Sequence, residues 1–271
     1  MKILRFLRTL IKGLFFLCCL FAALMIYMRY IEPRWLEVTH LDIESGDVSG
    51  SFRAVAFGDT HIGMGKDAED MEKLADKINS LEPDAVFFLG DLFDNYSRYE
   101  GAENVVKALS KIKAEHKFAV RGNHDVGGGA ELVYPELISE GGFTLLENKS
   151  VMLENGINII GSANYIYYSP DVQGLCTEGF DLLLAHEPDL ADAVGGVELQ
   201  LSGHSHGGQI YIPFLLDRIL PEGAKIYVRG LYEKPDGGKV YVNRGYGMSL
   251  WPLRLFARPE ITVLTINGDK E

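Results

Sequence analysis

The run AVFFLGDLFDN, residues 85–95, holds five apolar residues and then breaks at Gly90-Asp91 into a polar loop. A short apolar run that ends in a turn dipeptide reads as a buried strand. Upstream, residues 53–61 (RAVAFGDTH) repeat the pattern. Between the two, Ala68, Met71, Leu74, Ala75, Ile78 and Leu81 recur at helical spacing. Downstream, Val105, Val106, Leu109 and Ile112 form a second helical face. A strand-like stretch at 117–120 follows, then Arg121-Gly122-Asn123-His124-Asp125. This βαβαβ rhythm predicts parallel strands covered by helices.

The second half is richer in strands. Residues 157–161, 181–185 and 198–202 read as buried strands, and 207–213, 225–232, 239–245 and 261–266 are enriched in β-branched and aromatic residues. The expected organisation is a basic segment at 1–12, an apolar helix at 13–30, a linker with a first strand at 31–51, and one α/β domain over 52–271.

Of 271 residues, 47% are apolar and 24% charged, ordinary for a folded chain with a sizeable core. The net charge of −12 is uneven. Residues 1–35 hold six basic residues against Glu32 alone, so the remainder carries 20 basic and 37 acidic groups. A domain that negative repels a phosphate backbone, which argues against a nucleic-acid partner. Cys18, Cys19 and Cys176 make neither a disulfide framework nor a metal-binding spacing.

Residues 13–28 (GLFFLCCLFAALMIYM) are uncharged. Lys12 and Arg29 can snorkel at the two ends, and Tyr27, Tyr30 and Trp35 lie where an interfacial aromatic belt belongs. No small-x-small triplet follows the run, so the expectation is an uncleaved single-pass anchor. Four cations and no acid precede it, which predicts a cytoplasmic amino terminus and a domain across the membrane.

The polar residues of interest share one location, the loops directly after apolar strands. Asp59 and His61 follow the first strand, Asp91, Asp94 and Asn95 the second, and Asn123, His124 and Asp125 the third. His186 closes the strand at 181–185, and His204 and His206 close that at 198–202. Ligand sites in open α/β sheets gather at the carboxyl ends of strands. Each Gly-Asp or lone His is ordinary by itself. Their recurrence at equivalent positions supplies oxygen and nitrogen donors suited to two divalent metals.

In these blocks the chain resembles the calcineurin-like metallophosphoesterases, whose ordered pattern is D-x-H, GD-x-x-D, GNH-[DE], a lone His and GH-x-H. The resemblance covers about residues 52–268. The tail elements GGQIYIP, RGLYE, VNRGYG and RPEITVL are similar to the membrane-anchored bacterial branch labelled YkuE-like or YaeI-like. It implies a four-layer αββα sandwich of two mixed sheets. One metal is then expected on Asp59, His61, Asp91 and His206, and a second on Asp91, Asn123, His186 and His204. The two ions, Mn, Fe or Zn, would share Asp91 and a bridging hydroxide that attacks phosphorus. His124 is the residue expected at the leaving group, with Asp94 or Asp125 orienting its ring. Asn95 stands where protein-phosphatase relatives have Arg, which points away from phosphoprotein substrates.

The implied activity is hydrolysis of a phosphodiester or pyrophosphate, with a lipid or envelope intermediate as the favoured substrate class. UDP-diacylglucosamine hydrolysis occurs in the superfamily and is one alternative; a catalytically dead metal-binding scaffold is another. Two apolar stretches, Pro213–Leu216 with Ile219 and Leu220, and Trp251–Leu253 with Leu255 and Phe256, are candidates for a greasy rim. Arg218, Arg254 and Arg258 beside them are candidates to meet anionic headgroups.

Overall fold

The computed structural model describes residues 2–212 and 220–270. Of the segments considered above, Pro213–Leu216, Arg218 and Ile219 lie outside the described residues.

The chain opens with helix α1 (Lys2–Ile26), none of whose residues is buried. It runs on through a π turn (Tyr27–Ile31) and a 3-10 turn (Glu32–Arg34). This helical stretch, Lys2–Arg34, is long and apolar enough to cross a membrane. Its end is bonded to the globular part. The Arg254 N–H donates to the Met28 carbonyl at 3.0 Å, and the Ala257 N–H to Glu32 Oε1 at 2.7 Å.

The first sheet comprises β1 (Glu37–Ser49), β2 (Ser51–Phe57), β3 (Ala85–Phe88), β4 (His116–Ala119), β5 (Thr144–Leu145) and β12 (Glu260–Lys270), in the order β1-β12-β2-β3-β4-β5. As expected from the sequence rhythm, β2, β3 and β4 pair in parallel, and β5, which the sequence did not announce, extends the parallel run. The last strand β12 lies antiparallel to β2 and parallel to β1. The second sheet comprises β6 (Lys149–Met152), β7 (Ile157–Gly161), β8 (Phe180–Leu184), β9 (Leu199–Ser202), β10 (Gly230–Glu233) and β11 (Lys239–Val242), in the order β10-β11-β9-β8-β7-β6. Both sheets are mixed.

Strand alternation sorts the core. From β2 and β3, Ala54, Ala56 and Phe87 point to the second sheet and meet Ile159, Leu182 and Leu201. The intervening Val55, Phe57, Val86 and Phe88 face outward, under α2 (Ala68–Asn79), α3 (Ala102–Leu109) and α5 (Tyr134–Glu140). A single turn, α4 (Asn123–Asp125), precedes α5. The outer face of the second sheet is covered more thinly. There Ile160, Leu183 and Ala185 pack on Val172, Leu190, Val194 and Val197 from loops and a 3-10 turn, Pro188–Asp192.

Two stretches read as extended form little ladder. Residues 207–213 contribute only the bridge of Ile210 to Leu255 among described residues, and 225–232 only the start of β10. In 225–232 the backbone N–H groups are taken by side chains. The Asp189 carboxylate accepts the N–H groups of Lys225, Ile226 and Tyr227, and the Tyr232 hydroxyl accepts those of Val228 and Arg229.

Candidate metal centre

Five strands of the two sheets deliver the candidate ligands to one end of the sandwich. Asp59 and His61 follow β2, Asp91 follows β3 and Asn123 follows β4; His186 follows β8, and His204 and His206 follow β9. Backbone bonds zip the loops together. Asp59 N–H donates to the Gly90 carbonyl at 2.9 Å, His61 N–H to Asp91 at 3.1 Å, and the Thr60 hydroxyl to Leu92 at 2.8 Å.

Each carboxylate both holds a neighbouring loop and faces the cluster. Asp91 Oδ1 accepts the His124 main-chain N–H at 2.8 Å, while Oδ2 lies 3.4 Å from His61 Nε2 and 3.3 Å from His186 Nε2. Both oxygens of Asp59 accept the His204 N–H at 3.0 Å, and Oδ1 lies 3.7 Å from His206 Nε2. Asn123 Oδ1 is 3.1 Å from His186 Nε2, and the Nε2 atoms of His61 and His206 are also 3.1 Å apart. Asp59, His61 and His206 form one compact donor group, and Asp91, His186 and His204 another. Asp91 Oδ2 touches an imidazole of each, so the residue expected to bridge stands between the two groups.

Outer partners fix the imidazole tautomers. His186 Nδ1 is 2.7 Å from the Leu89 carbonyl and His204 Nε2 2.7 Å from the Glu222 carbonyl. A carbonyl only accepts, so those nitrogens carry protons; on His204 the opposite nitrogen presents a lone pair, whereas on His186 burial is outweighed by the Asp91 carboxylate, which raises the ring well above its ordinary range. Burial, reinforced by His186, holds His204 down to about 3, and burial with His61 beside it keeps His206 well below the ordinary range. Both rings are therefore neutral at neutral pH, as a metal-binding imidazole must be. Burial works to raise Asp91, yet the imidazoles of His186 and His124 win and hold it ionised.

The donor set fits divalent cations. Asp59 and Asp91 are buried, and the Nε2 atoms of His61 and His206 face each other at 3.1 Å, where one proton at most can be shared. Nδ1 of His61 and of His206 have no hydrogen-bond partner among the described residues. Such an arrangement is costly without positive charge inside it. The backbone is strained here too. Asp59, His61, Asp91, His204 and His206 all have φ between 40° and 68°, a region that non-glycine residues seldom occupy. Glycine is needed just before Asn123 and His204 for a different reason. A Cβ on Gly122 would overlap the Asp91 carboxylate, and one on Gly203 the Asp59 carboxylate.

His124 stands at the wall rather than in either group. Its Nδ1 lies 2.7 Å from the Asp94 main-chain carbonyl, which leaves Nε2 toward the cavity, 3.4 Å from Ser249 Oγ. The orienting group is thus a carbonyl of Asp94 and not a carboxylate; Asp94 Oδ1 is 3.8 Å away. Asp125 has another task. Its carboxylate accepts the N–H groups of Asp91, Leu92 and Gly122 and so ties the second and third loops together.

Above the cluster lies a cavity of about 270 Å³, lined by Asp91, Asn123 and His124 and by the apolar Ile210, Leu220, Leu250 and Trp251. Leu250 is 78% exposed and Trp251 59%. Two residues with no local sequence signal shape this rim, Ser249 and Gln209. The Gln209 amide accepts from Ser249 N–H at 2.8 Å and donates to the carbonyls of Ser249 and Trp251 at 2.8 and 2.9 Å. Arg254, expected near headgroups, is instead fully buried. Its guanidinium donates to the carbonyls of Arg244, Gly245, Gly247 and Ala257, five bonds that a headgroup could not match. Arg258 stacks on Trp35 at 4.3 Å and donates to its carbonyl.

Residues 52–208 match the model of the calcineurin-like phosphoesterase family. The chain is 39% identical over 256 residues to the uncharacterized metallophosphoesterase YkuE of Bacillus subtilis (strain 168), covering 89% of each chain. It is 29% identical over 257 residues to the phosphodiesterase YaeI of Escherichia coli (strain K12), covering 89% of this chain and 92% of that one. A zebrafish (Danio rerio) transmembrane protein with a metallophosphoesterase domain is 28% identical over 236 residues; the match covers 79% of this chain and 53% of the relative. With its domain matched over more than half its length and its donor residues gathered at one sheet end, the chain belongs to the calcineurin-like phosphoesterase family of metal-dependent hydrolases.

Proposed function

We propose that this protein is a membrane-anchored, dinuclear metal-dependent phosphodiesterase or pyrophosphatase acting on a phosphoester with an apolar tail. The observation that carries this reading is the cavity itself, lined by Asp91, Asn123 and His124 and by the exposed Leu250 and Trp251. Asp59, His61, Asp91 and His206 would hold one divalent ion, and Asp91, Asn123, His186 and His204 the other. When bound, such ions draw in phosphate, polarise its oxygens and acidify water. His124 then has the position of a general acid. Its Nδ1–H is committed to the Asp94 carbonyl, so a protonated ring offers Nε2–H to a leaving oxygen in the cavity. The neutral imidazoles of His204 and His206 leave the cluster net positive once two ions are bound.

Gln209 ties down the loop that carries Leu250 and Trp251. Gln209→Ala removes three hydrogen bonds to the Ser249–Trp251 loop. The variant is expected to raise KM for a phosphodiester with acyl chains by about 10-fold, since only part of the loss of three loop-holding hydrogen bonds is felt by the substrate. KM for bis-p-nitrophenyl phosphate should change less than twofold. Equal changes for both substrates would contradict a lipid-facing rim.

The anchored reading rests on α1, and the excess of cations before it favours a domain on the outer face. A reporter active only outside the cytoplasm, fused after Glu271, is expected to be active. Activity of a cytoplasmic reporter alone would reverse the orientation.

A further inference from the structure

A second cavity, of about 290 Å³, lies where the anchor meets the domain. Its walls come from Pro33 and Arg34 at the end of the helical stretch, from Lys66, from Asp70 and Lys73 on α2, and from Tyr246. Lys66 is the unusual member. It is only 7% exposed, yet among the described residues its ammonium has neither a hydrogen-bond acceptor nor a carboxylate within ion-pair distance. Among the described residues its close partner is the face of the Tyr246 ring, 4.0 Å away. A buried lysine is normally paired, because removing the charge from water is expensive.

The surroundings add to the positive charge. Arg34 spends one donor on the Tyr30 carbonyl at 3.2 Å, and Lys73 pairs with exposed Glu69 at 2.8 Å. The one carboxylate lining the cavity, Asp70, accepts the Asp67 N–H in the α2 capping box. Burial, together with the nearby cations Arg254, Arg34 and Lys73, outweighs Asp70 and lowers Lys66 to about 8. Lys66 and Arg34, with Lys73 shared with Glu69, outnumber Asp70 among the described residues that line a space large enough for a small anion, a phosphate-binding arrangement.

The position decides the source of the anion. Pro33 and Arg34 end the stretch Lys2–Arg34, and Tyr30, Ile31 and Trp35 beside them are exposed. Aromatic residues at the end of an apolar helix mark the headgroup layer of a bilayer. We propose that this cavity binds the phosphate of an anionic lipid headgroup, with Lys66, Arg34 and Lys73 as its cationic walls. The assignment rests on the anchored reading above, and it adds a second, non-catalytic contact with lipid on the α2 side of the domain.

The test uses the full chain in neutral detergent and fluorescently labelled phosphatidylglycerol as the probe. Lys66→Met, which keeps the side-chain volume and removes the charge, is expected to weaken binding at least about fivefold. Arg34→Ala should weaken it similarly. Turnover of bis-p-nitrophenyl phosphate by Lys66→Met should stay within twofold of the parent, which shows a folded catalytic domain and separates this site from the metal centre. Equal lipid binding by parent and Lys66→Met overturns the proposal. So does Lys66-dependent binding of inorganic phosphate without binding of the lipid, since the site would then serve a soluble anion. Loss of turnover in the parent would sink the phosphoesterase reading and leave the lipid-binding result standing.

Discussion

Replacing Asp91 with Asn is expected to strip metal from both halves of the site at once. The mutant amide keeps an oxygen for the His124 main-chain N–H, as Oδ1 does now at 2.8 Å. Its NH₂ then points where Oδ2 stands, 3.4 Å from His61 Nε2 and 3.3 Å from His186 Nε2. A donor replaces a charged acceptor between two groups of ligands. Loss of an outer partner alone costs about 10–100-fold in metal affinity or activity, and loss of a shared ligand should exceed that range. Metal analysis of the purified variant should show the loss of more than one ion per chain, with turnover reduced at least about 10³-fold. Two full-occupancy ions with unchanged turnover would show that Asp91 does not bridge.

His124→Ala separates binding from chemistry. The contact from position 124 to Asp91 is made by the main chain, so alanine preserves it, and both ions should stay. What is lost is the ring held by the Asp94 carbonyl at 2.7 Å with Nε2 toward the cavity. The expected fall in kcat is about 10²–10⁴-fold, the range for a positioned general acid or base. The deficit should shrink as the leaving group becomes more acidic, because nitrophenolate needs no proton. An equal deficit for alkoxide and nitrophenolate would favour electrostatic stabilisation over proton donation. An unchanged rate would make His124 a wall residue only.

Much of the site was readable because its ligands sit at fixed offsets from apolar runs. Gly-Asp after residues 85–89 and Gly-Asn-His after 117–120 are local features, and parallel strands with crossover helices bring such ends together. The supporting contacts were not readable, since each joins distant parts of the chain. Nothing near Gln209 announces that its amide holds residues 249–251. Arg254 has the flanking sequence of an exposed headgroup ligand, and only the tertiary structure surrounds it with carbonyls. The sequence does not decide whether Asp94 or Asp125 orients His124. The αR turn Asn123–Asp125 aims Asp125 back at the loop N–H groups, so the Asp94 carbonyl receives the imidazole proton. The stretch 225–232 was misleading for the same reason. Its β-branched and aromatic content favours a strand, but Asp189 and Tyr232 capture its N–H groups first.

The dinuclear claim is tested most directly by titrating Mn²⁺ into the chelator-treated full-length chain and following hydrolysis of bis-p-nitrophenyl phosphate against bound metal. Two donor groups that meet at Asp91 predict activity that rises until two ions are bound per chain, with little turnover at one. Full activity at a single ion, or turnover untouched by the chelator, would contradict it.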